Sequence, residues 1–322
     1  MKAAHNPWFA AAIRRHAIWL VLLLMLVAGA LISDAFTNPV YLINILRQAA
    51  PVGIAAVGVT LVMIMGGVDL SVGAIVSVAA VTSAALMDGD PDRIGFAVVA
   101  CCALATLIGA ANGLLIGYSR VSPFILTLGM AIVIYGVTQI VTGGTARGAV
   151  SPGFREFFNH RISGLVPVLA MAFLVVAAVG VGIQRLTRFG RSLYLLGSNP
   201  LAARLSGLPI TRLTVLAYAA SGFFAGLAGL ALLARSGISG SLAASGYEFD
   251  VLAAVVLGGT SFQGGRGGIG GTVAGVLILM VAFNLVNVVG LDYHAQLIVK
   301  GLIIVAASAI YHRIDTTQGE AS

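Results

Sequence analysis

Charge is what this 322-residue sequence has least of: Asp, Glu, Lys and Arg make up 9% of it, against about 25% in a soluble domain. A water-facing shell of ordinary polarity around a closed core is therefore excluded. With 59% hydrophobic residues and a mean hydropathy of +1.03, a disordered chain is excluded too. Cysteine is nearly absent. Cys101 and Cys102 are neighbours in one apolar run, and adjacent helical positions do not face each other. Both read as small buried hydrophobes, not as a disulfide or a metal pair. Catalytic signatures are missing as well: there is no H-E-x-x-H, no G-x-S-x-G, no Cys/His cluster at metal spacing and no G-x-x-x-x-G-K-[ST]. No enzyme, metal site or cofactor is expected, and ATP hydrolysis by the P-loop route has no place in this chain. The five histidines, His5, His16, His160, His294 and His312, lie near run ends or in loops, which suits an interfacial position better than ligation.

Long apolar runs are what the sequence has instead. A helix crosses a bilayer with about 20 apolar residues, and ten candidate spans can be drawn: 17–33, 42–65, 70–87, 94–117, 122–141, 164–184, 213–234, 248–262, 269–290 and 294–311. The expected architecture is an all-α polytopic membrane protein, one transmembrane domain over residues 1–322. The first run has Arg14 and Arg15 before it and a small-residue Ala28-x-Ala30 site. It is long for a signal segment and nine more runs follow, so it reads as a retained helix. The net charge of +7 is spread over short loops, not gathered on a face for nucleic acid. With both termini cytoplasmic, the inner side carries 11 basic residues and the outer side 6, as the positive-inside rule requires.

Two hydrophilic segments stand out. Residues 142–163, with Gly143, Gly144, Pro152, Arg155, Glu156 and His160, form an outer loop in this topology. Residues 185–212 fall inside and hold five arginines. Within them Asn199 reads as a helix N-cap, Pro200 as the first helical residue, and Gly207 followed by Pro209 as a stop. The result is a two-turn helix containing Ala202, Ala203, Arg204 and Ser206, too short to span, and read as a docking element for another protein. Its small residues, Ala202, Ala203 and Gly207, would let it sit closely in a partner's cleft.

Two apolar runs stop in the same way, the first at Gly66-Gly67 before Asp69 and Ser71, with Gly73 opening the next span. The second stops at Gly258-Gly259 before Thr260, Ser261 and the cluster Gly264 to Gly268. Charge inside the spans is scarce. Asp69 can cap the helix that follows it, Glu248 and Asp250 suit the positive end of a helix, and only Lys300 lies two turns into a span. That scarcity disfavours ion coupling, the ion-coupled secondary transporter being the alternative class. Asn112, Asn284, Asn287, Thr127, Thr138 and Gln139 are neutral polar groups in or near spans, suited to a polyhydroxylated solute or to bonds between helices. Three stripes, Gly109/Gly113/Gly117, Gly267/Gly271/Gly275 and Gly222/Gly226, point to close helix packing within the chain.

Gly66-Gly67-Val68-Asp69-Leu70-Ser71-Val72-Gly73 resembles the G-G-[IV]-D-L-S-V-G signature of permease subunits of bacterial ATP-binding-cassette sugar importers, the ribose/xylose/arabinose type. The runs 187–191, 197–207, 218–222 and 246–261 follow that family's order, and the match covers most of residues 40–311. Departures are Ser198 where the family often has glycine, Phe249 in place of leucine, and a basic Arg266 in the last glycine cluster. The resemblance implies an inner-membrane permease of the larger importer type with about ten helices. It further implies a second permease subunit, identical or paralogous, two cytoplasmic ATPase subunits, a periplasmic solute-binding protein and a sugar substrate. The related branched-chain amino-acid permeases share the general architecture and remain the alternative within it.

Overall fold

The computed structural model describes residues 7–119, 121–291, 294, 297–298 and 301–302, with side chains from Ile18 onward. The expected tenth span 294–311 with Lys300, the terminal residues Lys2, His5, His312 and Arg313, Arg120, and the side chains of Arg14, Arg15 and His16 fall wholly or mostly outside the described residues. In chain order the helices are α1 (Pro7–Ile32), α2 (Pro39–Ile64), α3 (Val72–Met87), α4 (Ile94–Tyr118), α5 (Pro123–Thr142) and α6 (Pro152–Asn159). A two-residue hairpin follows, β1 (Arg161–Ile162) antiparallel to β2 (Val166–Pro167), with Arg161 opposite Pro167. Then come α7 (Val168–Leu186), α8 (Arg188–Ser198), α9 (Pro200–Leu205), α10 (Ile210–Ser236), α11 (Tyr247–Leu257) and α12 (Ile269–Val288).

Among the described residues, six helices are long and apolar enough to cross a membrane. The expected spans 70–87 and 248–262 are shorter than drawn. At 16 and 11 residues, α3 and α11 measure about 24 and 16 Å, below the ~30 Å of a hydrocarbon core. An apolar count cannot separate the two states, because Leu70, Gly258 and Gly259 score alike in a helix and in the turn that ends one.

Apolar side chains fill the core and cover much of the outside as well. Every residue of α2 from Ala49 to Ile64 is buried, Pro51 included, the mark of a helix surrounded on all sides. The 27-residue α10 packs against α2, α3 and α4 and is the second axis of the core. On the outside, α5 turns Ile132 (66% exposed) and Ile140 (83%) outward, a surface stable only against lipid or another apolar partner.

The glycine stripes are seams within the chain. Gly109, Gly113 and Gly117 of α4 abut Tyr218, Val215 and Thr211 of α10, and Gly222 and Gly226 of α10 abut Ala105 of α4. A Cβ at Gly109 or Gly222 would strike a main-chain carbonyl of the other helix. In lipid, helices gain from such backbone contact what they cannot gain from hydrophobic burial. The third stripe is split: Gly271 and Gly275 pack α12 on Ala254 of α11 and on Gly258 just after it, whereas Gly267 precedes the helix in a left-handed turn (φ +115°). Cys101 and Cys102 are free and buried in α4.

Candidate functional site: a re-entrant loop and a glycine joint

The two similar stops in the sequence are the same structure. At the end of α2 the N–H of Gly66 bonds to Met63 O and that of Gly67 to Val62 O, at 2.9 and 3.0 Å. At the end of α11 Gly259 bonds to Val256 O and Thr260 to Val255 O, at 2.9 and 3.2 Å. Both turns pivot on a glycine with φ +90°, Gly66 and Gly259, a conformation that a side chain resists.

Beyond Gly67 the chain does not stay at the end of the bundle but turns back into it. Tyr218 of α10 donates to Val68 O at 2.9 Å, and Leu70 donates to Thr127 Oγ1 of α5 at 3.0 Å. The Asp69 carboxylate is fully buried. It accepts from the N–H and hydroxyl of Ser71 at 3.0 and 2.6 Å, and from Ser221 of α10 at 2.7 Å. Asn112 of α4 donates to the Ser71 hydroxyl at 2.8 Å. The cap residue of α3 is Ser71, not Asp69, and it makes no side-chain cap bond. Asp69 thus cross-links the re-entrant loop to α10, a role that local capping does not describe. Bonds from hydroxyl and backbone groups let a buried carboxylate persist without an adjoining cation.

The first turn of α3 then meets the first turn of α11. Gly73 has the Glu248 carboxylate where its own side chain would stand, and Ala244 donates to Ser77 Oγ at 3.0 Å. Glu248 and Asp250 occupy the first turn of α11, as their charge predicts.

At the opposite end of α11 three glycines from three segments touch. A Cβ added at Gly264 would lie 2.8 Å from the Gly66 nitrogen and 3.0 Å from the Gly197 Cα. One added at Gly265 would lie 2.8 Å from the Ser198 Cα, and one at Gly197 would strike the Ile64 carbonyl. Gly265 N–H bonds to Ile64 O at 2.8 Å, so the second turn caps the helix that ends in the first. A side-chain relay reinforces this joint. Gln184 of α7 accepts from Ile269 N–H at 2.9 Å and donates to the Tyr194 hydroxyl, which donates to Gly267 O at 2.6 Å. Burial pushes the Tyr194 phenol up, opposed by the bond from Gln184 and the nearby Arg185 guanidinium.

The short helix after Asn199 forms as read. Asn199 Oδ1 accepts from Ala202 N–H at 2.9 Å, Pro200 is the first helical residue, and Gly207 and Leu208 close the end on Arg204 O and Ala203 O. Its faces are not those expected. Ala203 is fully buried against Leu196 and Leu213, so it anchors α9 to α8 and α10 and cannot sit in a partner's cleft. Leu201 (67% exposed) and Leu205 (81%) face outward, with Arg204 and Ser206. The sequence reading missed Gln184, Tyr194 and Leu205; an exposed leucine pair in an arginine-rich segment was the available signal.

A bundle holding six apolar helices of membrane-crossing length, with a polar loop folded back into it, is the architecture of a multi-pass membrane protein. The chain belongs to the family described as "Branched-chain amino acid transport system / permease component", which matches residues 41–308. It is similar to the ribose import permease proteins of Escherichia coli (strain K12), 38% identical over 89% of this chain and 91% of that one, and of Bacillus subtilis (strain 168), 35% identical over 90% of each. The galactose/methyl galactoside import permease protein of Haemophilus influenzae is 34% identical over 92% of this chain and 94% of its own. No solved structure matches the chain.

Proposed function

We propose that this chain is the membrane-spanning permease of an ATP-driven importer in the bacterial inner membrane, passing a monosaccharide delivered by a periplasmic binding protein. The observation that carries the reading is the 35–38% identity to two ribose import permeases along nine-tenths of the chain, joined to the motif 66–73. Two ATPase subunits supply the energy, since the chain has no P-loop, and a second permease copy or paralogue completes the path. Ten crossings, those of α3 and α11 completed by the non-helical segment leading into each and the last at 294–311, place both termini and the α8–α9 elbow in the cytoplasm and the loop 142–163 outside.

The ATPase docks on α9 through Leu201 and Leu205, with Arg204 pairing an acidic group at the rim. Their support is position: at 67% and 81% they are the most exposed large apolar side chains of the elbow, ahead of Leu195 at 44%, and the elbow abuts the glycine joint. The test is co-purification from the native membrane. Leu201→Ser with Leu205→Ser should insert at normal level yet lose the ATPase. Full retention of the ATPase at wild-type transport rate would remove α9 as the dock. Reconstituted with its partners, the wild type should accumulate a sugar only with ATP. Uptake driven by a proton gradient alone would support the ion-coupled class, and uptake of leucine in place of sugar the amino-acid branch.

A further inference from the structure

We infer that a cavity between α2, α10, α11 and α12 is a binding subsite for one neutral, monosaccharide-sized polyol on its way through the chain. This rests on the importer reading above and adds a place and a set of ligands to it. The cavity measures about 230 Å³, below the roughly 300–1,000 Å³ of drug-sized sites, which leaves room for one small ring. It lies far from the glycine joint: Gln48 is in the first half of α2, Arg235 at the end of α10, Tyr247 and Asp250 at the start of α11, and Asn284 and Asn287 near the end of α12. In the proposed topology that is the outer half of the path, where a solute released by a binding protein arrives.

The lining matches the chemistry of a sugar. Gln48 and Asn287 bring side-chain amides to the cavity, able to donate to or accept from ring hydroxyls, while Asn284 donates to Gln48 Oε1 at 3.4 Å and holds that amide in place. Asp250 would accept from hydroxyls and Arg235 would donate to them, with Tyr247 beside both in the lining. One carboxylate and one guanidinium together disfavour a net anion and a net cation alike. Several of these groups are already held in place. Asn284 donates to Met280 O at 2.8 Å and its oxygen accepts from the Tyr41 hydroxyl at 3.2 Å, while Arg235 donates to the Tyr247 hydroxyl at 3.3 Å. Polar groups from four helices are costly to gather in an apolar bundle, and no comparable set lines the larger cavity of about 420 Å³ beside α6, where Ile54, Phe154, Leu169 and Leu230 stand.

The test uses the full importer in cells of the native host, with Cys101 and Cys102 replaced by alanine and one new cysteine, Asn287→Cys or, as a control at the same end outside the cavity, Ile238→Cys. A small uncharged thiol reagent is added with D-ribose, D-galactose or L-leucine, and uptake of each labelled solute is measured in parallel. The transported sugar should slow labelling at position 287 by about threefold at twice its dissociation constant and leave position 238 unchanged. Asp250→Asn, at normal membrane level, should raise KM for uptake by about tenfold with maximal rate retained. Sugar uptake without protection at 287, or with equal protection at 238, would overturn the subsite and leave the importer reading standing. Protection and uptake with leucine alone would overturn both, as would neither protection nor sugar uptake.

Discussion

Gly265 donates its backbone N–H to the carbonyl oxygen of Ile64 at 2.8 Å, two residues 201 positions apart that belong to the two glycine turns. Each turn ends its own helix with bonds reaching three and five residues back, and this one bond joins them. Helix α8 closes over the pair through Gly197, so the elbow, α2 and the start of α12 form one unit.

Substitution at the joint should therefore be costly where it is harmless elsewhere. Gly197→Ala puts a methyl against Ile64 O, and overpacking of this kind costs about 1–3 kcal/mol. Gly182→Ala, in α7 with nothing within 4 Å, should be neutral or gain about 0.5–1 kcal/mol from helix propensity. Thermal unfolding of the purified protein in detergent checks the contrast. Equal melting temperatures for the two variants would refute it.

Asp69 acts as a hydrogen-bond hub, so its shape should matter more than its charge. Asp69→Asn retains one acceptor for Ser71, and the Ser221 hydroxyl can turn to accept from the new amide. Asp69→Leu leaves Ser71 and Ser221 without their acceptor, at about 1–3 kcal/mol per stranded group. Expression level and melting temperature should rank wild type near Asn and both above Leu; an Asn variant as poor as Leu would make charge the decisive property.

Ala203→Glu should fail by misfolding of the elbow, not by loss of docking alone. The new carboxylate would be buried against Leu196 and Leu213, where an unpaired charge is strongly disfavoured. Limited proteolysis should cut the 199–208 segment faster than in the wild type, whereas Leu205→Ser should leave the cutting rate unchanged. A protease-resistant Ala203→Glu protein would mean that the face assignment is wrong.

Tyr194→Phe removes both relay bonds, to Gln184 and to Gly267 O, each worth about 0.5–1.5 kcal/mol. The expected result is a lower melting temperature with the helix content of the protein intact by circular dichroism. An unchanged melting temperature would show the relay to be dispensable to the joint.

What could be read from the sequence was local. Asn199, Pro200 and Gly207 predict α9 because capping is decided within a few residues, and Gly66 and Gly259 mark helix ends for the same reason. The stripes in α4 and α10 announce a close seam because small residues at a spacing of four have few other uses in lipid. Long-range pairings left no such trace. Ser221 is 152 positions from Asp69 and Gly267 is 73 from Tyr194, and nothing near either residue names its partner. The inward side of Ala203 was hidden because a six-residue helix has too few turns to show a period. The shortness of α11 was hidden because its end is as apolar as its middle.

Joints made of side chains have slack: rotamers shift and a push at one end is partly absorbed before it reaches the other. Gly66, Gly197 and Gly264 touch main chain to main chain, where there is nothing to re-orient. A displacement of the elbow is then handed to α2 and to the start of α12 almost undiminished, as through a pinned lever. The same stiffness runs backward, so a shift at the start of α12 would be felt at Leu201 and Leu205 as movement, without any further part to carry it.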